Sequence, residues 1–411
     1  MNNSGMIDRI PYAAIWRELS AEKSMVLLAG PRQCGKTTFA RKVSESFANS
    51  LYFNWDIATD KRRLIENPFF FQDVVRRDST RPLVMLDEIH KYKDWKNYLK
   101  GVYDRFHGEF LFLVSGSGRL DFYQKGGDSL AGRYYMLHLW PLTLAELHHA
   151  GVPFEDFRRD PVRPHTEQTA AIQSTWDRLA RYSGFPEPYV AAKQTSYRRW
   201  AAAYHRQLVR EDIRDMTEVK HVDDLEILFA LLPSKVGSPL SIPNLATDLK
   251  AAYNSVKSWL SIFERFYLTF SLSPWTPQIP RAIHKERKTY LFDYAGIEDP
   301  GAKFENMVAL ELFRAVSNWN DLGWGDFGLH YLRTKEGREV DFLVSENRKP
   351  MFLVEAKAGD DTPAANLIRF QKALCVPAVQ LLEHGEGFKQ SDPAGYPLLI
   401  APAAYWLPRL P

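Results

Sequence analysis

One glycine-rich segment of this 411-residue chain has the residue types and spacing that bind phosphate. Residues 30–37 read GPRQCGKT, which fits the pattern G-x-x-x-x-G-K-S/T between an apolar run and a helical stretch. The glycines would let backbone N–H groups surround phosphate oxygens, and a helix N-terminus would add partial positive charge. Lys36 would reach the β- and γ-phosphates, and the Thr37 hydroxyl would ligate Mg²⁺. The predicted nucleotide-binding residues are Gly30, Pro31, Arg32, Gln33, Cys34, Gly35, Lys36, Thr37 and Thr38.

Two adjacent acids end a second apolar run, PLVMLDE at 82–88. Asp87 would lie at the carboxyl end of a strand, where a parallel sheet exposes its ligand crevice, and is predicted to hold Mg²⁺. Adjacent acids at the end of an apolar strand are costly unless a metal or water uses them. Glu88 is therefore predicted to be the base that orients the attacking water. The alternative is that the two acids only cap a following helix.

Two serines and an arginine further along the chain are predicted to contact the nucleotide. Ser115 and Ser117 follow the run FLFLV, where a hydroxyl would lie beside the γ-phosphate, and the sequence does not decide between them. Arg133 precedes the last strand of this region and is predicted to reach a phosphate of its own or of a neighbouring subunit in a homo-oligomer. The alternative for Arg133 is a solvated side chain. Cys34 lies among phosphate-binding amides that would favour its oxidation, or it is only a tolerated small residue.

A second group of acids lies near the carboxyl-terminal end of the chain. The runs GREVDFLV and MFLVEAKAG predict a hairpin with Asp341 on one strand, and with Glu355 and Lys357 on one face of the other. Glu305, on a preceding helix, would add a carboxylate. Metal-dependent phosphodiester hydrolysis needs acids that bind the metal and a lysine that positions water. The alternatives are an exposed cross-strand ion pair, and a degenerate site that binds nucleic acid or protein without cleavage.

Hydrophobic patterning predicts the elements that position these groups. Apolar runs separated by helical stretches predict a five-stranded parallel sheet covered by helices in residues 1–150. Residues 151–235 have a helical pattern. Two short helices and a strand in residues 236–288 are typical of a winged helix-turn-helix, or of a connector that packs two larger domains. Strands return in residues 289–411. The predicted fold class is therefore α/β, with one α/β domain at each end of the chain.

Composition and charge exclude several classes of protein. A hydrophobic content of 45% excludes a mainly disordered chain. Two cysteines cannot build a disulfide framework, the first residues lack a secretory signal, and no apolar run is long enough to span a membrane. We therefore expect a cytoplasmic protein without a membrane partner.

The net charge of +3 is too small to indicate nucleic-acid binding by itself. Local basic stretches with aromatic residues at 197–210 and 281–288 nevertheless predict DNA as a partner. The alternative for each stretch is a solvated helix or loop face.

Several motifs together resemble one protein family. GPRQCGKTT, LDEIHK, VSGSG, SLAGR and PLTLAEL resemble the AAA-type ATPase domain of a large family of bacterial and archaeal ATP-binding proteins. GFPEP, the helix-turn-helix run with NLA, and KTYLFDYAGI resemble that family's carboxyl-terminal domain of unknown function, whose last part is similar to PD-(D/E)XK nucleases. Matching the nuclease-like motif residue by residue, Glu305, Asp341 and Glu355 would be metal ligands and Lys357 a catalytic residue. The resemblance implies ATP and Mg²⁺ at the glycine-rich loop, and Mg²⁺ or Mn²⁺ at the carboxyl-terminal site.

These observations lead to two functional hypotheses. The first is a Mg²⁺-dependent ATPase whose nucleotide state controls a DNA-acting carboxyl-terminal module with a metal-dependent phosphodiesterase site. The second is a nucleotide-switched regulatory ATPase that binds DNA or protein and has a degenerate, non-catalytic nuclease-like domain.

Overall fold

The computed structural model describes residues 7–116, 130–213, 222–276 and 286–411. The chain forms two compact units, each described by itself below. In the described ranges, no helix is long and apolar enough to cross a membrane. The finer division of the chain at residues 151, 236 and 289 stays a prediction. The first unit comprises Met1–Pro141 and Arg265–Tyr267, and the second comprises Leu142–Glu264 and Leu268–Pro411.

A five-stranded, all-parallel sheet forms the first unit, so the predicted fold class is confirmed. The strand order is β2-β3-β4-β1-β5, which places the strand before the glycine-rich loop between two neighbours. The strands β1 and β3 are buried at every position, as expected when helices cover both faces of a parallel sheet. The elements are α1 (Ile10–Glu22), β1 (Met25–Ala29), α2 (Lys36–Ser44), β2 (Ser50–Asn54), α3 (Ala58–Glu66), β3 (Leu83–Asp87), α4 (Trp95–Phe106), β4 (Leu111–Ser115) and β5 (Tyr135–His138).

Phenylalanine side chains fill part of the core of this sheet. The Phe71 ring lies 5.2 Å from the rings of Phe106 and Phe110, and 5.5 Å from that of Phe112, with steep interplanar angles. Edge-to-face pairs of this kind contribute about 0.5–1.5 kcal/mol each beyond the area they bury. They connect the 3₁₀ helix Phe70–Asp73, α4 and β4, and so help to fix the strand that ends at Ser115.

The second unit begins with short helices. In α7, Ile172, Trp176 and Leu179 follow the helical period and are all buried, so this helix has one apolar face. A π-helix over Gln207–Ile213 continues α9. The helices are α5 (Leu144–Leu147), α6 (Phe154–Arg159), α7 (Thr169–Tyr182), α8 (Pro186–Ala191), α9 (Gln194–Arg206) and α10 (Val222–Leu231).

The aromatic residues of the basic stretch 197–210 are part of this core. Tyr197, Trp200 and Tyr204 are buried on α9, and the rings of the last two stack at 4.8 Å. Arg210 forms an ion pair of 2.5 Å with Glu226. The sequence predicts these aromatic residues beside the arginines on a nucleic-acid surface, and this prediction is wrong. A helix repeats every 3.6 residues, so the aromatic residues lie on its buried face and the arginines on the opposite face.

Two short helices and two antiparallel strands follow in the order expected for a winged helix. The Ser241 hydroxyl accepts the N–H of Asn244 and caps α11. An isolated antiparallel bridge joins Pro239 to Lys288. Residues 277–285, which include Arg281 and Lys285 of the second basic stretch, lie outside the described residues. The elements are α11 (Ile242–Asp248), α12 (Tyr253–Arg265), β6 (Thr269–Pro274) and β7 (Lys288–Leu291).

An eight-stranded sheet forms the rest of the second unit. Its order is β12-β13-β11-β10-β9-β8-β6-β7, so the strands that follow α12 join the same sheet as the predicted hairpin β9–β10. The predicted boundary at residue 289 falls inside β7. The elements are α13 (Pro300–Asp321), β8 (Phe327–Arg333), β9 (Glu339–Glu346), β10 (Lys349–Lys357), α14 (Ala365–Leu374), β11 (Ala378–Leu382), β12 (Lys389–Ser391) and β13 (Leu398–Pro402).

Polar side chains fix the long helix α13 at three points along its length. The Asn306 amide bonds both the N–H and the C=O of Leu291 at 2.8 Å. Near the other end, the Asn320 amide bonds the N–H and the C=O of Phe327 at 2.8 and 3.0 Å. Between them, the buried Glu311 carboxylate accepts the first N–H groups of α5. The buried Asn306 amide and Glu311 carboxylate thereby have hydrogen-bond partners, as buried polar groups require.

Glu311→Gln should remove a pH-dependent part of the stability of the second unit. Burial raises the pKa of Glu311 from 4.5 to about 7, against the opposing effects of Arg314 and the two N–H groups. The pKa of Glu311 is higher in the folded than in the unfolded protein, so the protonated carboxyl favours the folded state. This contribution to the free energy of unfolding is complete below pH 4.5 and is lost as the pH rises to about 7. The loss is about 3 kcal/mol. Denaturant unfolding at about pH 5 and about pH 8 measures it as the difference between wild type and variant, and an equal pH dependence of the two proteins would contradict it.

Candidate functional site

The glycine-rich loop between β1 and α2 has the backbone shape that its sequence predicts. Gly30 and Gly35 have φ angles of 135° and 98°, which side-chain-bearing residues rarely adopt. A Cβ atom on Gly30 would lie 2.2 Å from the Leu139 carbonyl oxygen. The Arg9 guanidinium donates to the carbonyls of Cys34, at 2.9 Å, and Trp140, at 2.6 Å. Close contacts at both ends therefore hold the loop against the segment that follows β5.

The predicted nucleotide-binding residues differ in exposure along the loop. The Lys36 ammonium is buried and donates to the Gly30 and Pro31 carbonyls at 2.9 and 2.6 Å. Gln33 and Thr38 are exposed, and Arg32 and Thr37 are intermediate. The Lys36 ammonium thus lies inside the turn that the loop backbone forms.

The Cys34 thiol is buried and donates to the Leu139 carbonyl at 3.1 Å. A buried, hydrogen-bonded thiol is poorly accessible to oxidants, so its position favours the alternative of a tolerated small residue.

The Asp87 carboxylate brings together the elements at the carboxyl edge of the first sheet. Its Oδ2 atom accepts the Thr37 hydroxyl of α2 at 2.8 Å and the Tyr52 hydroxyl of β2 at 2.7 Å. Its Oδ1 atom accepts the Ser115 hydroxyl of β4. The structure therefore brings together Thr37, Asp87 and Ser115, as the sequence predicts, whereas Ser117 lies outside the described residues.

Tyr52 is a member of this site that the sequence analysis missed. Burial and the neighbouring Asp87 carboxylate raise the pKa of Tyr52 to about 12, so its hydroxyl stays a donor at neutral pH. The Arg41 guanidinium of α2 lies 4.9 Å from the Tyr52 ring centroid. The signal in the sequence is a hydroxyl and an amide, Tyr52 and Asn54, two positions apart in an otherwise apolar run, which places both on one face of β2.

Glu88 occupies an unusual backbone conformation directly after β3. Its φ angle is 55°, a left-handed value that costs a non-glycine residue on the order of 1–3 kcal/mol. Its N–H donates to the Ser115 carbonyl at 3.0 Å, which holds this conformation in place. Burial raises the pKa of Glu88, while Lys91, 3.2 Å from Oε2, lowers it. Lys91 also pairs with Asp56 at 2.6 Å, so the Glu88 carboxylate lies beside a cation that is itself anchored.

Arg133 lies at the opposite edge of the sheet from the glycine-rich loop. It precedes the first residue of β5, whereas the loop follows the last residue of the parallel strand β1. Its guanidinium forms an ion pair of 2.6 Å with Asp104, near the end of α4. This position disfavours contact with a nucleotide in its own loop, and the expectation of contact across a subunit boundary stays a prediction.

The predicted carboxyl-terminal acids also lie close together. On neighbouring strands, the Asp341 N–H donates to Glu355 Oε2 at 3.3 Å, and the Ala356 N–H donates to Asp341 Oδ2 at 3.0 Å. Lys357 pairs with Glu355 Oε1 at 3.3 Å. Glu305 approaches the group from α13, and its Oε1 atom accepts the Tyr290 hydroxyl at 2.7 Å. The hairpin and the helix thus converge as the sequence predicts.

Lys288, which the sequence analysis placed in the DNA-contacting basic stretch 281–288, is buried and lies at the centre of this group, so that assignment is wrong for this residue. The Lys288 side chain is 1% exposed, and its Nζ atom lies 2.5 Å from Glu339 Oε1, 3.0 Å from Glu305 Oε1 and 3.3 Å from Asp341 Oδ1. Burial lowers the pKa of Lys288, but the three carboxylates outweigh it and the net shift is upward. We call Lys288, Glu305, Glu339, Asp341 and Glu355 the acid–lysine cluster. Glu339 was also missed, because an acid at the start of a strand has the same pattern as a surface charge.

The geometry of the acid–lysine cluster does not fit the predicted Mg²⁺ or Mn²⁺ site. Nowhere in the described part of the chain do three or more His, Cys, Asp or Glu side chains form a group that could hold a metal ion. An ammonium nitrogen lies among the oxygens that would be metal ligands. The resemblance to a metal-dependent site therefore extends to the residue types and not to their contacts.

Three families match successive parts of the chain. Residues 22–148 match a family described as an AAA domain. Residues 173–296 match a domain of unknown function (DUF8612), and residues 300–392 match another (DUF4143). Residues 22–148, most of which belong to the first unit, are therefore similar to an AAA domain and include the glycine-rich loop.

Similar proteins and structures are distant. Two proteins described as uncharacterized, from Mycobacterium tuberculosis and Mycobacterium bovis, are each 24% identical over 360 residues, which cover 84% of this chain and 73% of theirs. The Walker-type ATPase of Pyrococcus abyssi is 14% identical, with a TM-score of 0.45 over 70% of this chain and 94% of its own. The Orc1 protein of Aeropyrum pernix in complex with DNA is 14% identical, with a TM-score of 0.33 over 74% and 93%. Likenesses at these scores carry no argument about function.

Gly30→Ala should destabilise the first unit, and Gly101→Ala should not. At Gly30 the new methyl group meets the Leu139 carbonyl and the φ of 135° is unfavourable, so we expect a loss of more than about 2 kcal/mol. Gly101 lies within α4 with no atom near its Cβ position, and alanine there should gain up to about 1 kcal/mol. Chemical denaturation of both variants measures the two free energies of unfolding. A Gly30→Ala protein as stable as wild type would show that the loop is not held as described.

Proposed function

We propose that this chain is a Mg²⁺-dependent ATPase whose nucleotide state controls DNA binding by its second unit. The observation that carries the ATPase part is the meeting of Thr37, Asp87 and Ser115 beside the loop that begins at Gly30. The match of residues 22–148 to an AAA domain supports the same assignment. A parallel sheet places its ligand crevice at the carboxyl ends of its strands, which is where these side chains lie.

The residues of the first unit suit nucleotide binding and magnesium. Backbone N–H groups of the loop and the N-terminus of α2 can surround the phosphates, and the Lys36 ammonium can exchange its carbonyl partners for phosphate oxygens. Thr37 and Asp87 provide adjacent oxygen atoms of the kind that Mg²⁺ prefers, so they fit this ion. When bound, Mg²⁺ supplies positive charge between the β- and γ-phosphates.

Glu88 is the residue that we assign to activation of the attacking water. Its carboxylate follows the magnesium-binding strand directly, and burial raises its pKa toward the range that suits a general base. Lys91 lowers that pKa and holds the carboxylate in one position through an ion pair. The Ser115 hydroxyl donates to the Asp87 carboxylate and so orients it.

Glu88→Gln should abolish most ATP hydrolysis while ATP binding is retained. The amide keeps the shape of the carboxylate but cannot accept a proton, so we expect turnover to fall by about a hundredfold or more. Lys36→Ala should lose binding as well. Phosphate release and equilibrium binding of a fluorescent ATP analogue measure the two effects. Glu45→Gln is the matched control, because Glu45 is exposed, pairs with the exposed Lys42 at the end of α2, and should leave turnover unchanged. Full turnover by Glu88→Gln would rule out the assigned base.

The DNA-binding part of the proposal rests on the surface of α12. This helix buries Val256, Trp259 and Phe263, which leaves Asn254 and Lys257 on its solvent face. Amide and ammonium groups on the second helix of a helix-turn-helix can contact base edges and phosphates. The antiparallel strands β6 and β7 follow this helix in the order that a winged helix requires.

DNA cleavage is the competing function, and the contacts of the acid–lysine cluster weigh against it. A phosphodiesterase site needs its carboxylates free to bind metal, whereas Asp341 and Glu305 here bond Lys288. We therefore favour a regulatory, non-cleaving second unit.

Lys257→Ala should weaken DNA binding and its dependence on salt. Loss of one phosphate contact should lower affinity by about three- to tenfold and reduce the slope of log K against log salt by about one. Fluorescence anisotropy with duplex DNA at several salt concentrations measures the affinity and its salt dependence. The same measurement on the Glu88→Gln protein, with ATP and then with ADP, tests whether the bound nucleotide controls DNA binding. Lys372→Ala, which removes an exposed lysine of α14, is the charge-matched control. Absence of salt-sensitive binding by the wild-type protein would favour a protein partner instead.

A further inference from the structure

The Lys288 ammonium has the surroundings of a bound cation and not those of a surface charge. Its side chain is 1% exposed, and one oxygen atom from each of Glu305, Glu339 and Asp341 points at the nitrogen. The Tyr331 ring lies beneath it, with its centroid 5.7 Å from Nζ. A buried ammonium is stable only when such partners surround it, because an unpaired charge in the interior is costly.

Two of the three carboxylates around Lys288, those of Glu305 and Asp341, belong to predicted metal ligands. The Nζ–O distances of 2.5 to 3.3 Å enclose a position among three carboxylates that come from α13 and β9. A Mg²⁺ ion would need the same oxygens at about 2.1 Å. Two cations cannot share these oxygens, because at such short separation their repulsion in a buried site is large. Lys288 and a divalent ion are therefore mutually exclusive.

Further carboxylate oxygens of the cluster, on Glu339, Asp341 and Glu355, also have partners within the protein. Asp341 Oδ2 accepts the Ala356 N–H, and Glu355 Oε2 accepts the Asp341 N–H. Glu355 Oε1 pairs with Lys357. The Glu339 carboxylate is shared between Lys288 and Arg333, the latter at 2.8 Å. These contacts orient the three carboxylates toward groups of the protein.

We propose that the Lys288 ammonium takes the place of the divalent metal in a nuclease-like site, so that the acid–lysine cluster is metal-free in the native protein. Lys288 is the first residue of β7 and reaches the cluster from the strand that follows the winged-helix-like helices. The cluster thereby acts as a structural connection among β7, α13 and the β9–β10 hairpin. The same carboxylates become a metal site when the ammonium is removed.

Titration with Mn²⁺ of full-length, nucleotide-free protein tests this inference. The parent carries Asp87→Asn, which removes the magnesium position of the first unit, and binding is followed by calorimetry and by loss of the free Mn²⁺ spectroscopic signal. We expect no binding by the parent. Adding Lys288→Ala should create one Mn²⁺ site, and adding Asp341→Asn to that protein should remove it again. The melting temperature of the Lys288→Ala protein should fall without metal and recover with Mn²⁺.

Two further variants serve as controls for the Mn²⁺ titration. Lys357→Ala in the same parent removes a half-exposed lysine of the cluster edge and should not create a Mn²⁺ site. If Lys288→Ala does not fold, Lys288→Met keeps most of the side-chain volume without the charge. Mn²⁺ binding by the parent that Asp341→Asn abolishes would overturn the inference, as would a folded Lys288→Ala protein that binds no Mn²⁺. Neither result bears on ATP hydrolysis, which is measured separately, so the two proposals fail independently.

Discussion

The buried Asp87 carboxylate imposes a constraint on which the arrangement of the first unit depends. A carboxylate at 4% exposure must be hydrogen-bonded, and its donors here are hydroxyls from α2, β2 and β4. Such convergence is possible because parallel strands end at one edge of the sheet and because the glycine-rich loop turns α2 toward that edge. Satisfying one buried carboxylate therefore brings the start of α2, which follows the glycine-rich loop, together with β2 and β4 at the edge where Glu88 follows β3.

The second unit satisfies its buried charges in a different way. In the acid–lysine cluster the carboxylates are matched by ammonium groups and a guanidinium, and the donors are mostly charged instead of neutral hydroxyls. A site with neutral donors can accept a cation without losing an ion pair, whereas a site already matched by cations gains little from another. This difference is the reason that we propose a magnesium site beside Asp87 and none in the acid–lysine cluster.

The sequence predicted those features that depend on local pattern. The apolar runs and the glycine-rich motif predicted the parallel sheet and the loop, and they placed Thr37, Asp87 and Ser115 near the carboxyl ends of its strands. The contacts of Tyr52 and Lys288 were missed because each reaches across strands, and the hydrophobic pattern does not say which side chains of neighbouring strands meet. The joining of β6 and β7 to the eight-stranded sheet was likewise hidden. The helical period could have predicted that Tyr197 and Trp200 are buried. It indicates which face of a helix a residue occupies, which local composition does not.

The long helix α13 has a mechanical consequence. It is fixed at Asn306, Glu311 and Asn320, and it carries Glu305 at its first turns. A rod attached at several points by paired hydrogen bonds cannot slide by a fraction of a turn, because every bond would break together. Because the Glu311 carboxylate accepts the first N–H groups of α5, α5 cannot shift along α13 without breaking those bonds.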